Sequence, residues 1–127
     1  MKKSSVLAGL ACAATLVLGA ASPTPAATSS PTAYSDCPAN NVCFWTGSGG
    51  TGQRCSWDIN DTNWHTAPSI CSWAANTPVK SVYNRKSIAV RFYLSTNYND
   101  RIGCTPAGVS GNLTGTYTVS SHQFTLC

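Results

Sequence analysis

The stretch Ile88-Ala89-Val90-Arg91-Phe92-Tyr93-Leu94 decides the fold class. Apolar side chains at 88, 90, 92 and 94 alternate with Ala89, Arg91 and Tyr93, the period-two pattern of a strand with one covered face. Val42-Cys43-Phe44-Trp45 repeats the ordering, and a shift of 48 residues lays Val42 on Val90, Phe44 on Phe92, Trp45 on Tyr93 and Gly52 on Asp100. Each half therefore carries an inward apolar residue, an inward Phe, an aromatic and then a tight turn. Further strands are expected at residues 53–57, 79–84, 116–119 and 122–126, with His122, Phe124 and Leu126 on one face. Gly and Pro punctuate the chain, and no segment longer than a turn or two shows helical periodicity, so the expected class is all-β. A duplicated unit that cannot bury its apolar face alone implies a two-motif β-sandwich.

Outside this domain the sequence changes character. Lys2 and Lys3 precede an uncharged apolar run from Val6 to Ala21, the pattern of a secretory signal peptide. The run is shorter than the roughly 20 residues a bilayer span needs, and Pro follows it instead of a basic cluster. The expected organisation is a signal peptide over 1–27, a flexible Pro/Ser/Thr spacer over 28–35 and a single domain over 36–127. Secretion to the extracellular space follows, without membrane attachment.

Charged residues make up 9% of the chain, against about 25% in an average soluble domain. Beyond the leader six basic side chains face four acidic ones, a balance of +2. Too few cations remain to build a phosphate-binding face, so nucleic acid is excluded as a partner. All four Trp and few aliphatic side chains lie in the domain, so burial must rest on aromatics and disulfides. Six of the seven cysteines follow the leader: Cys37, Cys43, Cys55, Cys71, Cys104 and Cys127. An even number in an exported chain reads as a disulfide framework, with 15 possible pairings. With no Cys-x2-Cys pair, a metal site is not expected.

Catalytic motifs are absent. His65 and His122 are the only histidines, and with Asp58, Asp61 and Arg85 they offer an acid-base pair only in principle. His122 beside Phe124 reads as a packed core residue. No paired Glu, no His-Glu-x-x-His and no Gly-x-Ser-x-Gly occurs, so no enzyme, no catalytic residue and no cofactor is expected. Gly47-Ser48-Gly49-Gly50-Thr51-Gly52 spells a dinucleotide-binding pattern, but a strand-like run follows it where a helix would be needed. Those glycines instead suit backbone angles that other residues avoid.

Tyr93-x4-Tyr98-x-Asp100 resembles the folded-hairpin signature of βγ-crystallin Greek keys; Trp45-x4-Gly50-x-Gly52 keeps the first aromatic and the closing glycine but lacks the second aromatic. Cys37-Pro38, Val42 to Gly47, Ser81 to Asn84 and Val90 to Tyr93 are similar to the small secreted actinobacterial proteins grouped with the Streptomyces metalloproteinase inhibitor. The resemblance spans the domain and implies a disulfide-stapled, βγ-crystallin-like sandwich of two Greek keys that inhibits a secreted peptidase as a monomer. It also matches Cys37 with Cys43 to that family's N-terminal loop. Cys55 with Cys71 would clamp residues 56–70, and Cys104 with Cys127 would fasten the C-terminus. The calcium motif of crystallin-type domains is degenerate: Asn76 and Ser81 fit, but Thr77 and Lys80 do not.

An inhibitor of thermolysin-like metalloproteinases offers a large apolar residue after the scissile bond, on a loop pre-shaped by disulfides. Ile70 and Ile102, each close to a cysteine, rank above Ile59 for that role. Trp57 and Trp73 read as core. Trp64, in polar surroundings, is expected to be exposed and with His65 to form a contact patch. The alternative reading is a killer-toxin-like or antifungal cell-wall-binding module of the same fold.

Overall fold

A computed structural model describes residues 33–127; the expected signal peptide over 1–27 and residues 28–32 of the expected spacer lie outside the described residues. Seven strands form two antiparallel sheets: β1 (Val42–Trp45), β2 (Arg54–Trp57), β3 (Ser81–Asn84), β4 (Val90–Ser95), β5 (Asn99–Thr105), β6 (Ser110–Asn112) and β7 (Ser121–Phe124). One sheet runs β2-β1-β3-β6 and the other β5-β4-β7. The chain is thus a disulfide-stapled β-sandwich, as its alternation implies. Each half lends a piece to the other's sheet: β6 pairs with β3, and Asp61 makes an isolated antiparallel bridge to His122 of β7.

The 48-residue shift is visible in three dimensions. Ser81 Oγ donates to Gly47 O (2.6 Å) and accepts from Gly50 N (2.9 Å). In the second hairpin, whose residues stand 48 positions on, the equivalent serine comes 40 residues after Ser81: Ser121 Oγ donates to Ser95 O (2.6 Å) and accepts from Tyr98 N (3.2 Å). Each buried serine thereby pins a folded hairpin. The left-handed positions also coincide: Gly49, Gly50 and Gly52 in the first hairpin, and Asn97, Tyr98 and Asp100 in the second, all have positive φ. The glycine-rich run is a turn, and a Cβ on Gly50 would lie 2.6 Å from the backbone nitrogen of Tyr34. Tyr34 packs edge-on against Trp45 at 5.5 Å, as Tyr98 packs against Tyr93 at 5.6 Å. A residue from before the first strand thus fills the place of the missing second aromatic. Residues 33–35, expected in the spacer, belong to the folded domain: Tyr34–Asp36 is a 3-10 turn, closed by Ala33 N donating to Asp36 Oδ2.

Aromatics carry the core. Phe44, Trp57, Trp64, Trp73 and Phe92 are buried together with Val42, Val79, Val82, Val90 and Val119 between the sheets. Strand β1 is buried on both faces, because Cys37, Cys43, Trp45, Tyr34 and Tyr83 form a second small core behind it. The disulfides join Cys37 to Cys43, Cys55 to Cys71 and Cys104 to Cys127.

Some expected elements differ. Residues 116–119 form no strand, although Val119 is buried. The pairing of β4 with β5 shifts register between Phe92 and Tyr93; Tyr93 is buried against Tyr98, while Leu94 is exposed, and Ile88 precedes the strand and is also exposed. Leu126 lies past the end of β7 and is exposed rather than sharing the face of His122.

Candidate functional site

The longest irregular segment runs from the end of β2 to the start of β3, and its first part, up to Cys71, is closed by the Cys55–Cys71 disulfide across a sequence separation of 16. Residues with short polar side chains fold it back on itself: Asp61 Oδ1 accepts from Asn63 N and Asn63 Oδ1 accepts from His65 N, both at 2.9 Å. Asp61 Oδ2 also accepts from Trp57 Nε1. The loop is then riveted to the second sheet. Asp61 N donates to His122 O and His122 N to Asp61 O, while Trp64 N donates to Ser120 O. Asn60 Oδ1 accepts from Phe124 N at 2.7 Å.

Trp64 is the keystone of this arrangement. It is fully buried, stacked on Trp57 at 4.2 Å and packed against Phe44 at 4.9 Å. Its exposure, expected from its neighbours Asn63 and His65, is corrected: the indole N–H finds a buried acceptor, His122 Nδ1, at 2.9 Å. His122 is fully buried too, and its Nε2 bonds Ile59 O at 2.8 Å. Burial pushes the His122 pKa down to about 4, against a smaller opposing effect of the bond to Ile59. His65 is only partly buried, and its Nε2 lies 3.0 Å from Ser120 Oγ.

Two large apolar side chains protrude from this rigid loop, Ile59 at 62% exposure and Ile70 at 60%. Their backbones differ. The carbonyls of Asp58 and Ile59 are both occupied, by Lys86 Nζ (2.7 Å) and by His122. Ser69 and Ile70 have no hydrogen bond among the described residues, while the next residue, Cys71, donates its N–H to Trp64 O at 2.8 Å and is buried. The Ser69–Ile70 peptide is therefore an open segment beside a fixed anchor. Pro68, Ser69 and Ile70 line a hollow of about 330 Å³ together with Arg54 and Trp57 of β2. Ile102, ranked beside Ile70 from sequence, sits in mid-β5, half-buried against the core. It does not present a free side chain to a partner.

The Cys55–Cys71 loop, anchored on the core and carrying two exposed isoleucines, is a rigid surface that a partner can bind. A model of peptidase inhibitor family I36 matches residues 30–105. The chain belongs to peptidase inhibitor family I36. Its members are non-enzymatic proteins whose partner is a peptidase. The match includes the whole Cys55–Cys71 loop of this I36 inhibitor and ends with β5, so β6 and β7 lie beyond it. No curated protein matches the chain. Among the described residues, no group of three or more His, Cys, Asp or Glu is placed to hold a metal ion, and no helix is long and apolar enough to cross a membrane.

Proposed function

We propose that this protein is a secreted, monomeric inhibitor of metalloproteinases, and that the Ser69–Ile70 peptide is the segment that enters the peptidase cleft. The observation that carries the reading is the contrast within two residues: Ile70 exposed on an unpaired backbone, Cys71 buried, disulfide-bonded and hydrogen-bonded to Trp64. An open backbone can pair with a substrate-binding strand of the peptidase, and Ile70 suits the apolar pocket of thermolysin-like enzymes. Holding the loop in its bound shape removes most of the ordering cost of association. If the bond is cut, Cys71 stays fastened to Cys55 and to Trp64, so the new end does not diffuse away and the bond can re-form.

The signal-peptide pattern of the sequence over 1–27 and the three disulfides support the secreted assignment. The βγ-crystallin-like, two-Greek-key arrangement implied by the resemblance is supported by the exchanged pieces β6 and Asp61 and by the paired serines Ser81 and Ser121.

The test is a panel of metallo- and serine peptidases incubated with the oxidised mature protein and three variants. Ile70→Asp is expected to weaken inhibition of a metallopeptidase about 30-fold or more, as loss of an interface hot spot does, with an unchanged melting temperature. Ile59→Asp is expected to have a smaller effect, and Ile102→Asp to lower the melting temperature. Wild-type inhibition that survives Ile70→Asp would refute the assignment of the bond. Failure to inhibit any peptidase, with arrest of fungal growth instead, would replace the inhibitor reading by the toxin-like one.

A further inference from the structure

One fully buried titratable side chain, His122, bonds the loop at two points from inside the protein. We propose that His122 is the positioning residue of the inhibitory loop: its neutral imidazole ties Ile59 and Trp64 to β7, and a second proton on the ring releases them. The inhibitor then becomes an ordinary cleavable chain. This rests on the reading of the Cys55–Cys71 loop as the inhibitory one.

The hydrogen bonds assign the tautomer. An indole N–H can only donate, so His122 Nδ1 must accept from Trp64 Nε1 (2.9 Å), and the ring's single proton is on Nε2, donating to Ile59 O (2.8 Å). Both nitrogens are used, and the ring is fully buried. A second proton has only Nδ1 to go to, where it would face the Trp64 N–H, two donors against each other. The rings around the imidazole are Phe44, Trp57, Trp64 and Phe124, with centroids 5.0 to 6.3 Å away. The ionisable groups on the surrounding elements are engaged elsewhere or turned away. Asp61 accepts from Trp57 and Asn63, His65 meets Ser120, and Lys86 lies over Phe124 at 4.8 Å. On β4, Arg91 and Tyr93 flank Phe92, the residue opposite His122; Tyr98 packs on Tyr93. None is hydrogen-bonded to the imidazole, so no carboxylate compensates an imidazolium there.

The consequence reaches the proposed reactive peptide through Trp64. Its carbonyl accepts from Cys71 N, and its own N–H donates to Ser120 O. If Trp64 leaves its place, the anchor immediately after Ile70 goes with it. In the opened loop His122 titrates near its ordinary value, so the open population should grow about tenfold per pH unit on going down from about 6.5, levelling near 4.

Native-state hydrogen exchange of the oxidised mature protein from pH 7.5 to 4, corrected for intrinsic exchange, reads this directly. The opening constants of the Trp64 and Cys71 amides should rise about tenfold per unit below about pH 6.5. They should do so at a lower opening free energy than the amides of Phe44 and Val90. His122→Gln, which keeps a donor near Ile59 O and cannot titrate, should flatten the profile. A flat wild-type profile, or opening of Trp64 and Cys71 only together with Phe44 and Val90, would overturn the proposal. Should His122→Gln fail to fold, Trp64→Phe removes the opposing donor and raises the pKa of the ring in the closed loop, so the rise should still begin near pH 6.5 but level off above about pH 4; levelling at the wild-type pH counts against the idea equally. A second arm follows cleavage at Ser69–Ile70 by a thermolysin-like peptidase at pH 7.5 and 5.5, normalised to its rate on an unstructured peptide of residues 66–74. The normalised rate should rise about tenfold in the wild type and stay constant in His122→Gln; equal behaviour of the two refutes the proposal. If no peptidase binds at all, the inhibitor reading falls, while the exchange measurements still decide the role of His122.

Discussion

Gly50 and Tyr34 show how one residue type constrains another far along the chain. Gly50 has φ of 76°, and a Cβ there would meet the Tyr34 backbone nitrogen at 2.6 Å, whereas Gly49, at φ of 65°, has nothing within 4 Å. Gly49→Ala should therefore cost about 1 kcal/mol from the left-handed backbone alone. Gly50→Ala should cost about 2 kcal/mol or more, because the N-terminal turn must also move; urea unfolding of both variants measures the difference. The sequence showed that the closing turns needed special backbone angles, since Gly52 and Asp100 align. It did not show that Tyr34 supplies the missing aromatic, because that residue lies outside the repeat. Trp64 is the clearer case of what neighbours conceal. Asn63 and His65 are polar because they build the turn, and the indole's burial depends on His122, 58 residues away. An isolated Trp in a polar run carries no local mark of such an acceptor.

Strands rich in apolar alternation were legible, and those held mainly by their partners were not. β1, β2, β3 and β7 fall within two residues of their expected bounds. β4 places Val90 and Phe92 in the core as the alternation implies, but Leu94 is exposed at its end and Tyr93 is buried by Tyr98. β5 reads Asn-Asp-Arg-Ile-Gly-Cys-Thr and β6 Ser-Gly-Asn; neither has the β-branched and aromatic content that marks a strand. They are strands because β4 and β3 present an unsatisfied edge to them. At this scale the paired serines make a quantitative prediction. Ser81→Ala strands a hairpin carbonyl and amide at Gly47 and Gly50, and Ser121→Ala strands Ser95 O and Tyr98 N. Each should lose about 1–3 kcal/mol of stability, measured by chemical denaturation, with increased amide exchange confined to its own hairpin.

For the molecule as a whole, the Cys55–Cys71 loop and its internal prop link stability to the proposed inhibitory function. The His122 pKa of about 4 lies below the ordinary 6.5, so the unfolded chain binds the extra proton first. The resulting stability is fully present above about pH 6.5 and declines as pH falls toward 4. That loss amounts to roughly 3 kcal/mol. Thermal unfolding of the wild type should show this decline, and His122→Gln should lack that component. Replacing Cys55 and Cys71 together by Ser opens a loop whose closure is worth about 3 kcal/mol. The double variant should melt at a lower temperature and inhibit less tightly, as calorimetry and an inhibition assay would record. The sequence by itself determined the all-β class, the repeated motif and the domain's six cysteines, because these rest on composition and on period-two alternation, which are properties of the chain. Only the tertiary structure decided which isoleucine protrudes and which one packs, that Trp64 is buried, and that His122 holds the loop. Those facts are set by partners distant in sequence, whose burial and hydrogen bonds exist only once the two sheets have closed on each other.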